Sequence, residues 1–294
     1  MQLSTFRLLK NQEGFINLTD DQLKKYQDVL MNITSDIMDV CNSIGVNAML
    51  AYGSALGAVR HSGFIPWDDD MDLYMFRADY EKFVPKFKEK FAHKYWIHTP
   101  DRTRNYGAMI TKILLKGTVV RQFEDHENNE CGAFIDIFII ENEFENELLA
   151  RLHALGCFVF AGAISCRRIY RDRKFLYSVI KDEHLIGAIK SKALLGKLIG
   201  FISLDTLTKA ANTWYKLCKN DDSRRVIIPC NPKRIWGDLY DRDWFVGTRK
   251  HKFGIFNWSI PMQVEKYLER SYGNYMKLPP LNDREKHTFI EFQL

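Results

Sequence analysis

The sequence predicts an α+β protein with a mostly helical second half, and three observations carry that expectation. An amphipathic helical stripe follows Thr19 and runs into a short apolar segment. Between Tyr95 and Ile140, short apolar runs separated by polar or glycine-bearing breaks have the length of strands. From about 145 to 220 the pattern becomes helical, basic and apolar by turns.

In chain order, Thr19-Asp20-Asp21-Gln22 has capping-box spacing, a hydroxyl followed three residues later by Gln, so a helix starts there. Leu23, Tyr26, Leu30, Ile33, Ile37, Met38 and Cys41 form its apolar stripe, which stops near Gly45. Residues 46–52 read as a buried strand, Gly53 as a tight turn, and 55–60 as a short helix. Residues 71–76 read as a second strand, and 78–91 as a helix with Tyr80, Phe83, Val84, Phe87 and Phe91 on one side. Strands are expected at 95–98, 107–115, 118–122 and 133–140, with a polar loop over 124–130. Residues 273–280, Gly-Asn-Tyr-Met-Lys-Leu-Pro-Pro, close the helical region in a turn. No internal repeat or Pro/Gly/Ser-rich linker interrupts the chain. The expected division is 1–144 and 145–294, the second part packed on the first.

At 294 residues and 46% hydrophobic, the chain can bury a substantial core. A net charge of +5 without long single-sign runs implies no nucleic-acid footprint and suits an anionic substrate or membrane surface. The six cysteines, at 41, 131, 157, 166, 218 and 230, show no C-x-x-C spacing, and a chain this large needs no staples, so reduced thiols are expected. Residues 1–14 lack the apolar region of a signal peptide, and the uncharged stretch 152–166 is short for a membrane span. The expected location is cytoplasmic, with peripheral contact at the inner face of the membrane left open. Arg167, Arg168, Arg171, Arg173 and Lys174 bear on that point, as a solvated helix face or as a surface for anionic lipid or a lipid-linked acceptor.

The informative segment is Tyr52-Gly53-Ser54, then Gly57-Ala58-Val59-Arg60-His61, then Pro66-Trp67-Asp68-Asp69-Asp70-Met71-Asp72-Leu73. Four carboxylates in five positions repel one another, and a bound cation is the simplest way to keep them ionised in a cleft. Residues two apart on a strand share a face, so Asp70 and Asp72 point together, and Asp68 joins them if the chain is already extended there. Such a pair suits a hard ion such as Mg²⁺ or Mn²⁺ that also takes substrate phosphates. The plain alternative is a solvated aspartate turn before a strand. The flanks weigh against it: Gly53 and Ser54 near a helix start form an anion site, and Arg60 and His61 add donors.

Asp136 sits inside Phe134-Ile135-Asp136-Ile137-Phe138-Ile139-Ile140, an apolar run that reads as a buried central strand. A buried carboxylate needs a partner. It is a third metal ligand beside Asp70 and Asp72, a base for an acceptor hydroxyl, or one half of a salt bridge. Lys112 reads either as an inner-strand lysine reaching a phosphate or as a surface lysine. His93, His98, His126, His153 and His251 lack ligand spacing and read as structural or exposed. Trp236, Tyr240, Trp244 and Trp258 read as core, with stacking on a base or quaternary ammonium as the other option.

These residues resemble the LicD family, known for Tyr-Gly, a turn, Leu-Gly-Ala-Val-Arg-His, then Gly-Phe-Ile-Pro-Trp-Asp-Asp-Asp, an apolar residue and Asp. That pattern stands almost without a gap over 52–73, and the stretches 134–138 and 271–280 agree with it. The resemblance implies a nucleotidyltransferase-type fold, a small mixed β-sheet flanked by helices, with 1–144 as the catalytic core. It also implies Mg²⁺ dependence, a CDP-linked donor such as CDP-choline, and a glycan or lipid-linked glycan acceptor such as teichoic acid, lipopolysaccharide or capsule. Carried over, Asp70, Asp72 and Asp136 become metal ligands with Asp68 close by. Tyr52, Gly53 and Ser54 belong to the turn holding the donor diphosphate, supported by Arg60, His61 and Lys112. The expected activity is transfer of phosphocholine or a related phospho-alcohol. Nucleotidyl transfer, metal-dependent glycosyl transfer and an inactive binding module are the competing readings.

Overall fold

The structure, a computed structural model, describes residues 16–230, 239–247, 249–284 and 286–294. Helix α1 (Asp20–Ile44) begins as its capping box dictates: Thr19 Oγ1 accepts from the Gln22 N–H, and Gln22 Oε1 accepts from the Thr19 N–H. Gly45, at φ 68°, ends it in the left-handed conformation that glycine adopts without penalty. The predicted stripe is its buried face, with Tyr26, Leu30 and Ile37 fully enclosed.

The next segment departs from expectation. Strand β1 is only Met49–Leu50, and helix α2 (Tyr52–His61) begins at the residue expected to close the strand. The Ala51 N–H still bonds to the Asp72 carbonyl at 2.9 Å, while the Ala51 carbonyl already accepts from Ala55. The chain therefore passes from sheet to helix without a loop, and the predicted Gly53 turn is the first turn of α2. Tyr52 carries the change of direction at φ 39°. Its N–H donates to the Tyr267 hydroxyl at 3.2 Å, and its ring packs on Tyr74 and Phe138.

Strand β2 (Asp72–Phe76), helix α3 (Arg77–Phe91) and strands β3 (Tyr95–His98), β4 (Thr111–Leu115), β5 (Val119–Gln122) and β6 (Phe134–Asn142) follow. The central sheet runs β1-β2-β6-β4-β3, with β2 and β6 parallel and the other neighbours antiparallel. It is a mixed sheet with the apolar residues of β2, β4 and β6 in its core: Leu73, Ile113, Ile135, Ile137 and Ile140 are inaccessible to solvent.

The helical region comprises α4 (Glu147–Val179), α5 (Glu183–Leu198) and α6 (Leu204–Tyr215), whose first turns are capped by Asn146, Asp182 and Ser203. Buried polar pairs join it to the sheet. Arg77 of α3 bonds to Glu141 of β6 and to Asn212 of α6, and His153 of α4 meets Glu143, just past β6, at 2.8 Å. Glu143 and further acceptors outweigh the burial that opposes charge on His153, so its pKa lies above the usual histidine range. Of the basic cluster of α4, Lys174 is exposed and the four arginines are half-buried: Arg167 donates to the Ile202 and Gly196 carbonyls, and Arg171 pairs with Asp172 and the Asn105 carbonyl.

Beyond α6 the chain returns to β structure that the sequence pattern did not reveal. Strands β7 (Arg225–Ile227) and β8 (Leu239–Asp241) extend the sheet from the far end of β6. The hairpin β9 (Arg249–Phe253) and β10 (Phe256–Ile260) packs on α2 and β1. Helix α7 (Val264–Tyr272) follows, and β11 (Phe289–Gln293) pairs with β5. Trp258 lies in the core against Phe253 and Phe256, and Trp244 packs on buried Tyr240. Trp236 lies outside the described residues, as do residues 1–14. No disulfide links any of the six cysteines.

Candidate active site

Three charged residues form a row across adjacent strands. Asp72 opens β2, Asp136 is its register partner on the parallel strand β6, and Lys112 is the partner of Asp136 on antiparallel β4. Register partners on neighbouring strands lie about 5 Å apart and share a face of the sheet. A polar row thus crosses the sheet at its centre, and β4, between β6 and β3, makes Lys112 an inner-strand residue.

Lys112 is 7% exposed. Its Nζ donates to Gln122 Oε1 at 3.0 Å, lies 3.7 Å from Asp125 Oδ2 and sits 4.0 Å over the Phe134 ring. Asp136 is half-buried, and its Oδ1 has no hydrogen-bond partner among the described residues. Burial pushes its pKa up to about 6; Lys112 works against the rise and Asp70 adds to it. The charged form is disfavoured by about 3 kcal/mol relative to an ordinary aspartate.

The aspartates before β2 divide their roles. The strand begins only at Asp72, so the expected alternation from Asp68 is replaced by a bend in which the Asp68 N–H bonds to the Ile65 carbonyl. Asp69, 4% exposed, turns to the C-terminal segment and accepts from the His287 backbone N–H at 3.0 Å and from its Nδ1 at 2.8 Å. His287 Nε2 lies 3.7 Å from Asp70 Oδ2. Burial opposes charge on His287, but Asp69, Asp70 and Asp68 outweigh it and hold the imidazolium well above its ordinary pKa. Burial and the neighbouring aspartates raise Asp68 and Asp72 well above the carboxylate range.

Helix α2 frames this cluster. Ser54 Oγ accepts from the Asp72 N–H at 2.9 Å, tying the helix start to the start of β2. Gly53 faces Asp68 so closely that a Cβ would stand 2.8 Å from its Oδ2. Arg60 and His61 lie at the other end of the helix. Arg60 Nη1 donates to the Tyr275 carbonyl at 2.7 Å and its Nε to His61 Nε2 at 2.9 Å, so this pair fastens the 273–280 turn. The pKa of each is lowered by burial, and Asp68 counteracts that on Arg60.

The structure thus gathers Asp68, Asp70, Asp72, Asp136 and Lys112 with Gly53 and Ser54, and puts the Tyr52 ring in the aromatic core. Three further residues belong to the site. His287 is 218 residues from Asp69 in sequence and has no local signal; the one hint was energetic, the need of clustered carboxylates for a cation. Tyr26 and Tyr106 have buried hydroxyls without hydrogen-bond partners among the described residues; burial raises the pKa of both, and the Asp136 carboxylate adds to the rise. Tyr26 falls on the apolar stripe of α1, where it reads as core.

An oxygen-donor set with an orphaned buried carboxylate oxygen and mutual repulsion fits a hard divalent cation. Among the described residues, no three His, Cys, Asp or Glu side chains already form a metal-binding group. The strand register brings Asp72 and Asp136 together, and Asp70 lies two residues before Asp72.

Residues 45–152 match the family model described as LicD/FKTN/FKRP, nucleotidyltransferase domain. Over 275 residues the chain is 27% identical to the "Lipopolysaccharide cholinephosphotransferase LicD" of Haemophilus influenzae, with 92% of this chain and 97% of that one covered. Uncharacterized proteins of Rickettsia typhi and Rickettsia prowazekii are each 29% identical over 91 residues, 28% of this chain and 29% and 34% of theirs.

Proposed function

We propose, from the match of residues 45–152 to the LicD/FKTN/FKRP nucleotidyltransferase model, that this chain is a LicD-type transferase moving phosphocholine from a CDP-linked donor to a hydroxyl of a cell-surface glycan. The observation that carries the reading is the register of Asp72 with Asp136, which brings together two carboxylates that could hold a cation able to neutralise a donor diphosphate. The similarity to the lipopolysaccharide cholinephosphotransferase over nearly the whole of both chains supports phosphocholine as the group and lipopolysaccharide as the first acceptor to try.

In the reaction, an acceptor hydroxyl oxygen attacks the phosphorus bearing choline, the phosphoanhydride bond to CMP breaks, and the hydroxyl proton passes to a base. Asp70, Asp72 and Asp136 would hold a Mg²⁺ or Mn²⁺ ion, which when bound neutralises charge on the donor diphosphate. Asp136 would serve either as that third ligand or, not bound to the ion, as the base that accepts the proton, and its pKa near 6 in the ion-free site suits the second role. Lys112 balances part of the negative charge, and His287 holds Asp69 and through it the bend. Ser54 fixes the backbone at Asp72, and the Tyr26 and Tyr106 hydroxyls are available as donors beside the carboxylates.

Thermal denaturation with CDP-choline, CDP-ribitol, CDP-glycerol, ATP and UDP-glucose, each with and without Mg²⁺, tests the reading, because a ligand that binds only the native state raises the midpoint. A Mg²⁺-requiring rise with CDP-choline is expected. A rise with ATP or UDP-glucose alone would replace the reading by nucleotidyl or glycosyl transfer on the same acidic site.

A further inference from the structure

An exposed apolar surface lies outside the acidic site, on the α4–α5 hairpin. Leu148, Leu152 and Val159 lie on one side of α4, and Leu194, Leu198 and Phe201 on α5 and the turn after it; Phe201 is 85% exposed. The two elements meet at the end of α5: Gly196 packs so tightly on α4 that a Cβ would meet the Cys166 carbonyl oxygen, and Ile199 and Ile202 after α5 pack against the same buried cluster as Phe160 and Ala163 of α4. Exposed apolar side chains gathered on one hairpin mark an interaction site more often than chance.

Charge decides the occupant. Between Glu183 and Asp205 the chain has no acidic residue, while Lys190, Lys192 and Lys197 are all exposed. Helix α4 likewise has no acidic residue between Glu147 and Asp172. A second copy would set lysines against lysines. Segments 1–15 and 231–238 each carry two basic residues and one acidic, so neither complements the face. An anionic lipid surface supplies both an apolar interior and negative headgroups.

Helix α4 is long and apolar enough to cross a membrane by length and composition, with 28% of its apolar window buried. Its polar anchors set it on the surface instead. His153 is bonded to Glu143 and the Trp214 carbonyl, and Arg167 to the Gly196 and Ile202 carbonyls. A spanning α4 would break these bonds and carry an arginine and a histidine into hydrocarbon. We propose that the α4–α5 face docks the protein peripherally on an anionic phospholipid bilayer. The inference is independent of the transfer chemistry.

The test is co-sedimentation of the whole chain with phosphatidylcholine vesicles and with vesicles containing 30% phosphatidylglycerol, at about 0.1 M and 0.5 M NaCl, where screening differs strongly. The protein is expected to pellet with the anionic vesicles and to be released by salt. Lys190→Glu/Lys192→Glu/Lys197→Glu is expected to weaken binding at least about tenfold, and Leu198→Glu/Phe201→Glu to abolish it. Both variants should keep the wild-type circular dichroism, since every substituted side chain is exposed. Equal pelleting by wild type and Leu198→Glu/Phe201→Glu would overturn the proposal. So would no pelleting of the wild type, or a concentration-dependent dimer that this variant dissolves, which would assign the face to a second copy.

Discussion

Asp72 and Asp136 are register partners on adjacent parallel strands, two carboxylates on one face of the central sheet. Like charges at directly opposed positions destabilise a sheet, and Lys112, the register partner on the other side of Asp136, offsets only part of the repulsion. The fold carries this cost at the site where the proposed chemistry needs negative charge, and each property below follows from it.

The first concerns pH. The native protein holds a proton on Asp136 up to about pH 6, whereas the unfolded chain releases it near pH 4. Ionisation of Asp136 therefore lowers wild-type stability as pH rises through that interval. In chelator, Asp136→Asn should match wild type near pH 4 and exceed it by up to about 3 kcal/mol above pH 7. Urea denaturation of both proteins across this range measures the gap. A gap that is flat or that narrows with pH would contradict the account.

His287 provides the opposite sign. Its folded pKa is raised, chiefly by Asp69 against the penalty of burial, so its contribution is complete below the unfolded value near 6.5 and is lost as pH rises through the folded value. His287→Ala should cost roughly 1–3 kcal/mol at pH 6 and less at pH 9. Equal losses at the two pH values in urea denaturation would show that the residue only packs.

Two glycines of α2 separate site from scaffold. A Cβ at Gly53 meets only the end of the Asp68 side chain, at 2.8 Å, whereas at Gly57 it would stand 2.4 Å from the Gly63 backbone carbonyl. Gly53→Ala should keep its melting temperature within a few degrees and lose about tenfold or more in transfer, by displacing a carboxylate. Gly57→Ala should destabilise the fold by roughly 1–3 kcal/mol. Melting curves beside transfer rates test both, and full activity in Gly53→Ala would remove Asp68 from the site.

How much of this was legible depended on whether a feature is local. The capping box and stripe of α1, the strands around Asp72 and Asp136, and the helical pattern after residue 145 are written in neighbouring residues, and they stand in the structure. The row Asp72–Asp136–Lys112 was legible as three suspicious charges in apolar surroundings, but their register was not, because strand pairing joins segments that share no sequence pattern. The early start of α2 escaped the pattern because a hydrogen bond from the Tyr52 N–H to Tyr267, 215 residues away, sets it. His287 escaped for the same reason. Strands β7 and β8 have three residues each, too few for alternation to register.

The most direct measurement of the central claim follows two labels of one donor. CDP-choline labelled in the choline and, separately, in the cytidine is incubated with the protein, Mg²⁺ and lipopolysaccharide. The account predicts that the choline label enters the acceptor, the cytidine label leaves as CMP, and Asp70→Ala/Asp72→Ala reduces transfer by about 10³-fold or more while keeping its fold. Cytidine label in the acceptor, or full transfer by the double variant, would contradict it.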